Sequence, residues 1–252
     1  MVNWKERFRA AGIHIGICLG VALLAGLVVF GLWYPYPYRE ISGGRELFLL
    51  VVAVDVVLGP LLTLAIFDRT KPWPVLRRDL AAIALLQLGG LGYGMWTVFE
   101  ARPVHLVFEV NRFRVVHAAE VPRELLGQTP AGITALPLWR PTLLSLRPFK
   151  DGAEKWNLAL AEMGGVPIAA RPDVWQSYAA GQADVRKAAK PVAELSRRFA
   201  SSAADIGRTV AATGLSADRL GYLPLIGRKS YWTVFVDLQT AQPLAFLPLD
   251  SF

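Results

Sequence analysis

The chain has 252 residues, 54% of them hydrophobic, with a mean hydropathy of +0.37 and a formal net charge of +7. Length admits one large domain or two small ones, and the basic excess raises nucleic-acid binding, which needs cations gathered on one face of a folded domain. Many of them instead flank apolar runs: Lys5, Arg7 and Arg9 precede the first run, and Arg69, Lys71, Arg77 and Arg78 lie between the second and third. That placement argues against nucleic acid as a partner and for membrane topology.

The apolar excess lies before Glu100, so the natural division is near residue 100. Residues 10–33 carry no acidic or strongly basic side chain and, at about 1.5 Å per residue, cross about 30 Å of hydrocarbon. The run is too long for a signal-peptide core and exits through Trp33-Tyr34-Pro35-Tyr36-Pro37-Tyr38, an interfacial aromatic belt without a small-residue cleavage site, so it is read as a retained helix. A second span over about 47–67 contains one acid, Asp55, and a third over about 80–99 has only Gln87 as a strongly polar residue. The loop between the first two spans offers only Arg39 and Arg45, so the positive-inside rule predicts a cytoplasmic N-terminus at a bacterial inner membrane. Three crossings then deliver residues 101–252 to the periplasm.

Gly12, Gly16 and Gly20 recur every fourth residue in the first span, and Gly90 and Gly94 do so in the third, beside Gly89 and Gly92. Such stripes let helix backbones approach closely, either within this chain's own bundle or against another helix.

Beyond residue 100, His105–Glu109 and Phe113–His117 alternate as strands around a turn expected at Asn111-Arg112. Thr142–Leu146 adds a strand, and Asp151–Met163 has helical spacing through Trp156, Leu160 and Met163. The alanine- and charge-rich stretch 172–213 reads as helical, with Pro191 as a helix start. Strands return at 222–226, 231–238 and 244–249, with turns at Gly227-Arg228 and Gln239-Thr240. This order predicts an α+β domain, an antiparallel sheet with helices on one face. The single cysteine, Cys18, lies in the first span, so that domain forms no internal disulfide.

Catalytic chemistry is not evident. His14 lies in a membrane span, His105 and His117 lie on the two arms of the predicted hairpin as a cross-strand surface pair, and no metal-ligand spacing, nucleophile elbow, P-loop or dinucleotide fingerprint occurs. Neither a cofactor nor a metal is expected. Asp55 stands out, because an ionised carboxylate in the bilayer costs several kcal/mol and must face a partner or be protonated. Gly59-Pro60 follows one turn later, where proline frees the Val56 carbonyl and is expected to kink the helix. Two roles stay open: a carboxylate satisfied inside the bundle by Gln87 or His14, or a contact to a client helix. Intramembrane aspartyl proteolysis lacks its second acid.

Asn3-Trp4-Lys5-Glu6-Arg7-Phe8-Arg9, the Trp33–Pro37 exit, Ser42-Gly43-Gly44-Arg45-Glu46-Leu47 and Val54–Pro60 form one constellation. With them go Arg78-Asp79-Leu80, Gln87, Ala101-Arg102-Pro103, Arg112–Val116, Tyr222-Leu223-Pro224-Leu225, Arg228 and Leu247-Pro248-Leu249-Asp250. On these residues the chain resembles the TfpX/TfpZ family of type IV pilin accessory proteins over nearly its whole length. Ser251 departs from the family's closing glycine. The resemblance implies an inner-membrane, non-enzymatic factor needed for efficient assembly of a particular major pilin. Its partners would be that pilin, the bilayer and other pilus assembly proteins. The resemblance carries no catalytic residues with it. A pilin-modifying membrane enzyme of glycosyltransferase type would have more spans and more acids at loop positions. An extracytoplasmic sensor would keep a signalling domain in the cytoplasm.

Overall fold

The computed structural model describes residues 4–252, so Asn3 of the constellation above lies outside the described residues. Two compact units result: one runs to Tyr36 and resumes over Gly44–Glu100, and the other combines Pro37–Gly43 with Ala101–Phe252.

The first unit is a helical bundle. Helix α1 (Trp4–Val28) ends in a π-helical turn, Val29–Trp33; after the short α2 (Tyr38–Ile41) come α3 (Gly44–Ile66) and α4 (Trp73–Glu100). The runs Trp4–Trp33, Gly44–Ile66 and Trp73–Glu100 are each long and apolar enough to cross a membrane. All three exceed the apolar cores expected near 10–33, 47–67 and 80–99, because charged turns beyond hydrocarbon length continue the helices; Phe67 falls just past the end of α3. Both α1 and α4 pack along α3. At one end Val29, Tyr34, Phe48 and Val98 form a buried cluster, where the Tyr34 hydroxyl donates to the Val98 carbonyl at 3.1 Å. Gly44 is required there: a Cβ at its position would overlap the Tyr34 ring.

The second unit is an α+β domain built on a mixed eight-stranded sheet. Its strands are β1 (Pro103–Glu109), β2 (Arg112–His117), β3 (Thr142–Leu146), β4 (Trp175–Ser177), β5 (Lys190–Pro191), β6 (Leu220–Ile226), β7 (Tyr231–Asp237) and β8 (Pro243–Leu247). The order is β4-β3-β1-β2-β6-β7-β8, with β5 pairing β6. The expectation of an antiparallel sheet is corrected at two joints: β1 and β3 run parallel, as do β2 and β6. Each parallel partner is reached through a long stretch of chain, 110–141 from β1 to β3 and 118–219 from β2 to β6, and separations of that length permit parallel pairing.

Both faces of the sheet are covered, against the expectation of helices on one. The register sets Tyr222 opposite Phe235 and Leu223 opposite Val234. Tyr222 and Phe235 pack with α7 (Val192–Arg198) and α8 (Ala203–Ala212) through Leu195 and Ile206, while Leu223 and Val234 share a core with Tyr178 and Val185 of α6 (Tyr178–Ala188). All seven residues of β1 are accordingly buried. Pro191 is the N-cap of α7, as a helix start there requires. In α5 (Gly152–Met163), capped by Asp151 through the Glu154 amide, Leu158 turns inward while Trp156, Leu160 and Met163 are exposed.

Residues 37–43 belong to this domain's core, which extends the unit beyond the division near residue 100. Ile41 is fully buried in the cluster that holds Phe113, Leu225 and Trp232, and Tyr38 packs 6.3 Å from Phe246. The Arg228 amide donates to the Ile41 carbonyl at 3.3 Å, and a Cβ on Gly227 would lie 2.7 Å from Ile41.

Two local expectations change. The hairpin register pairs Glu109 with Arg112, so the turn is Val110-Asn111, with Val110 left-handed at φ 57°. The histidines form no surface pair: His117 is buried and bonded to Glu120 at 3.1 Å. His105, fully buried, donates from Nε2 to the Ala135 carbonyl at 2.9 Å and accepts at Nδ1 from the Thr142 hydroxyl at 2.7 Å. That network suits the neutral ring, and burial pushes the imidazole down to about 4, the Ala135 bond opposing it only in part.

In the unfolded chain His105 takes up a proton near pH 6.5, whereas the folded chain resists until about 4, so stability falls on acidification through that interval. The expected slope approaches about 1.4 kcal/mol per pH unit. Denaturant titrations of the protein in detergent between those limits should show it, and His105→Gln should flatten it.

Candidate functional site

Asp55, Gln87 and Cys18 meet at the centre of one polar contact in the bundle. Gln87 of α4 reaches across to α3, where its amide nitrogen lies 3.1 Å from both the carboxylate Oδ1 and the backbone carbonyl of Asp55. The same nitrogen is 3.5 Å from Cys18 Sγ of α1, so all three helices converge on this amide. Gly59 provides the room, since a Cβ there would overlap the Gln87 amide. Helix α3 continues through Pro60, and both Gly59 and Pro60 are buried. Of the two bundle partners considered for Asp55, Gln87 is in contact. His14 is held elsewhere, by the Thr63 hydroxyl at 2.6 Å.

Towards the end that carries Phe67–Pro72, charged groups fasten the helices. Arg7 donates to the Leu64 and Ala65 carbonyls at 3.4 and 3.0 Å, a cation at the C-terminus of α3 where the helix dipole favours one. Glu6 lies 3.6 Å from Arg69, and Lys71 pairs with Asp79 at 2.7 Å. Hydrogen bonds from the Thr70 hydroxyl and amide hold the half-buried Asp68 carboxyl below its usual range, and Arg7 lies 3.7 Å away. The other end is closed by Tyr34, Trp33 and Phe99.

The candidate packing glycines divide. Gly94 meets Val51 and so packs within the bundle, whereas Gly12, Gly16, Gly20 and Gly90 are exposed, with nothing within 4 Å of a Cβ. Two cavities flank the polar pair. One of about 790 Å³ opens between α1 and α4, and another of about 450 Å³ lies along α3 and α4; Asp55 and Gln87 line both. Sequence reasoning missed Thr63 and Cys18. Their signals were present, because Cys18 follows His14 by one turn, and Thr63 follows Asp55 by two. Among the described residues no group of three or more His, Cys, Asp or Glu is placed to hold a metal ion.

This geometry makes Gly59, like Gly44, a position where the bundle leaves no room for a larger residue. Gly59→Ala should destabilise the detergent-solubilised protein by about 1–3 kcal/mol by displacing Gln87. Gly90→Ala should change stability by less than about 0.5 kcal/mol. Thermal melts followed by circular dichroism compare the two.

Residues 2–43 match the family described as Fimbrial assembly protein FimB. The fimbrial assembly protein of serogroup I from Dichelobacter nodosus is 34% identical over 240 residues, 92% of this chain and 93% of that one. The serogroup E1 protein of the same organism is 33% identical over the same shares. The protein of serogroups C1 and C2 is 39% identical over 131 residues, half of this chain and 97% of its own. No solved structure matches the chain. With such identity across nearly the full length of both partners, the chain belongs to the family of fimbrial assembly proteins.

Proposed function

We propose that this chain is a non-enzymatic accessory factor of TfpX/TfpZ type that assists assembly or dynamics of a cognate type IV major pilin at the bacterial inner membrane. The supporting observation is the 34% identity to a fimbrial assembly protein across 92% of the chain. Three helices able to cross a membrane agree with a factor that meets its client there. In this reading the N-terminus and the 67–72 loop are cytoplasmic, and the domain is periplasmic together with residues 37–43. The pilin and the bilayer are its partners, and other pilus assembly proteins act beside it.

Two experiments test this. Deleting the gene should deplete surface pili and twitching while leaving pilin synthesis intact, and the wild-type gene should restore both; undiminished piliation would refute the assignment. A reporter active only in the periplasm should be active when fused after Phe252 and silent at Thr70. The reverse pattern would invert the orientation without touching the pilus assignment.

A further inference from the structure

Helices α1 and α4 both lie along α3, and the cavity between them is walled by apolar side chains such as Ile13, Ile17, Val21, Leu88 and Leu91. On α1 its lining runs from Glu6 to Val21, a length of about 22 Å at helical rise, comparable with most of a membrane crossing. Asp55 lies on its floor. The Asp55 carboxylate receives one amide donor, Gln87, which is neutral, and no cation pairs with it among the described residues. When ionised, the carboxylate keeps most of its acceptor capacity and all of its charge uncompensated in hydrocarbon.

From this geometry we infer that the groove between α1 and α4 seats one transmembrane helix of a partner protein, and that this helix presents a positively charged group to Asp55. A helix is the protein segment whose backbone needs nothing from the groove, since its polar groups are satisfied internally. Ile13, Ile17 and Leu88 give its side chains the packing that lipid would give. A lipid chain would set methylene groups against the carboxylate and leave the charge uncompensated. Arg9 lines the cavity about 13 Å along α1 from the level of Cys18. Glu6 and Arg69 line that end too and lie 3.6 Å apart, so with Arg9 the end carries a net positive charge that favours a cation at Asp55 over one there. The inference rests on the proposed function only in taking a fimbrial subunit as the natural occupant.

The test uses the full chain in phosphatidylethanolamine/phosphatidylglycerol nanodiscs, with photoreactive benzoylphenylalanine at Ile17, inside the groove, or at the exposed Leu19 outside it. The probes are synthetic Leu/Ala helices of about 22 residues with Lys, Leu or Glu at the centre. The Lys helix should form an adduct at Ile17 about fivefold more than the other two and should show no such preference at Leu19. Asp55→Asn, which keeps shape and an acceptor for Gln87, should reduce the Lys helix to the level of the Leu helix. Equal adducts from all three helices, a Lys preference that survives Asp55→Asn, or adducts at Ile17 to acyl chains alone would each overturn the inference. None of these results depends on pili, so failure here and failure of the deletion test are separable.

Discussion

Hydrocarbon offers no hydrogen bonds, so a polar side chain placed in it must find its partner within the protein, and the bundle is organised around that demand. Asp55 receives one amide donor from Gln87, and Gln87 also reaches Cys18, so one side-chain amide links α3 to both of its neighbours. The glycine at 59 exists for this approach, since any Cβ would occupy the space of the amide. His14 and Thr63 make a second polar link between α1 and α3. Apolar packing alone discriminates little between a neighbouring helix and lipid, whereas these bonds fix which faces meet.

The domain outside the bundle solves a different problem. Without a disulfide its stability rests on burial, and its sheet is covered on both faces, by α6 on one and by α7 and α8 on the other. A strand buried on both sides cannot alternate, which is why β1 is buried throughout and why charged Glu109 at its end needs Arg112 and Arg114, at 2.7 and 3.3 Å. Buried polar side chains in such a sheet are tolerable only when bonded, as His105 is at both ring nitrogens.

Legibility from sequence followed the range of the interactions concerned. The three crossings were readable because length and apolarity are local properties, and strand β3 was placed at Thr142–Leu146 by its composition and flanking breakers. The parallel pairings were not readable, since nothing within β1 or β2 specifies a partner reached through a long connection. The hairpin turn was misplaced by one residue because asparagine is, after glycine, a favoured occupant of a left-handed position, yet here that position is Val110. At the bundle site, Asp55, Gln87 and Gly59 announced themselves by being polar or small in an apolar run. The role of residues 37–43 was invisible: a short loop between two spans carries no sign that Ile41 completes a core whose other members begin some 65 residues later at Leu106.

That core membership also has a consequence in time. Ile41 leaves the ribosome long before β6 and β7, whose side chains enclose it, and at about 5–20 residues per second the interval is on the order of 10–40 s. During that interval the segment waits on its side of the membrane with its apolar surface uncovered, while α3 and α4 are still being inserted. The domain can close only when the polypeptide has crossed back to that same side, so completion of the fold registers that every crossing was made. A chain that missed one would strand Ile41 and its core on opposite faces of the bilayer, exposed to whatever degrades unfolded segments there.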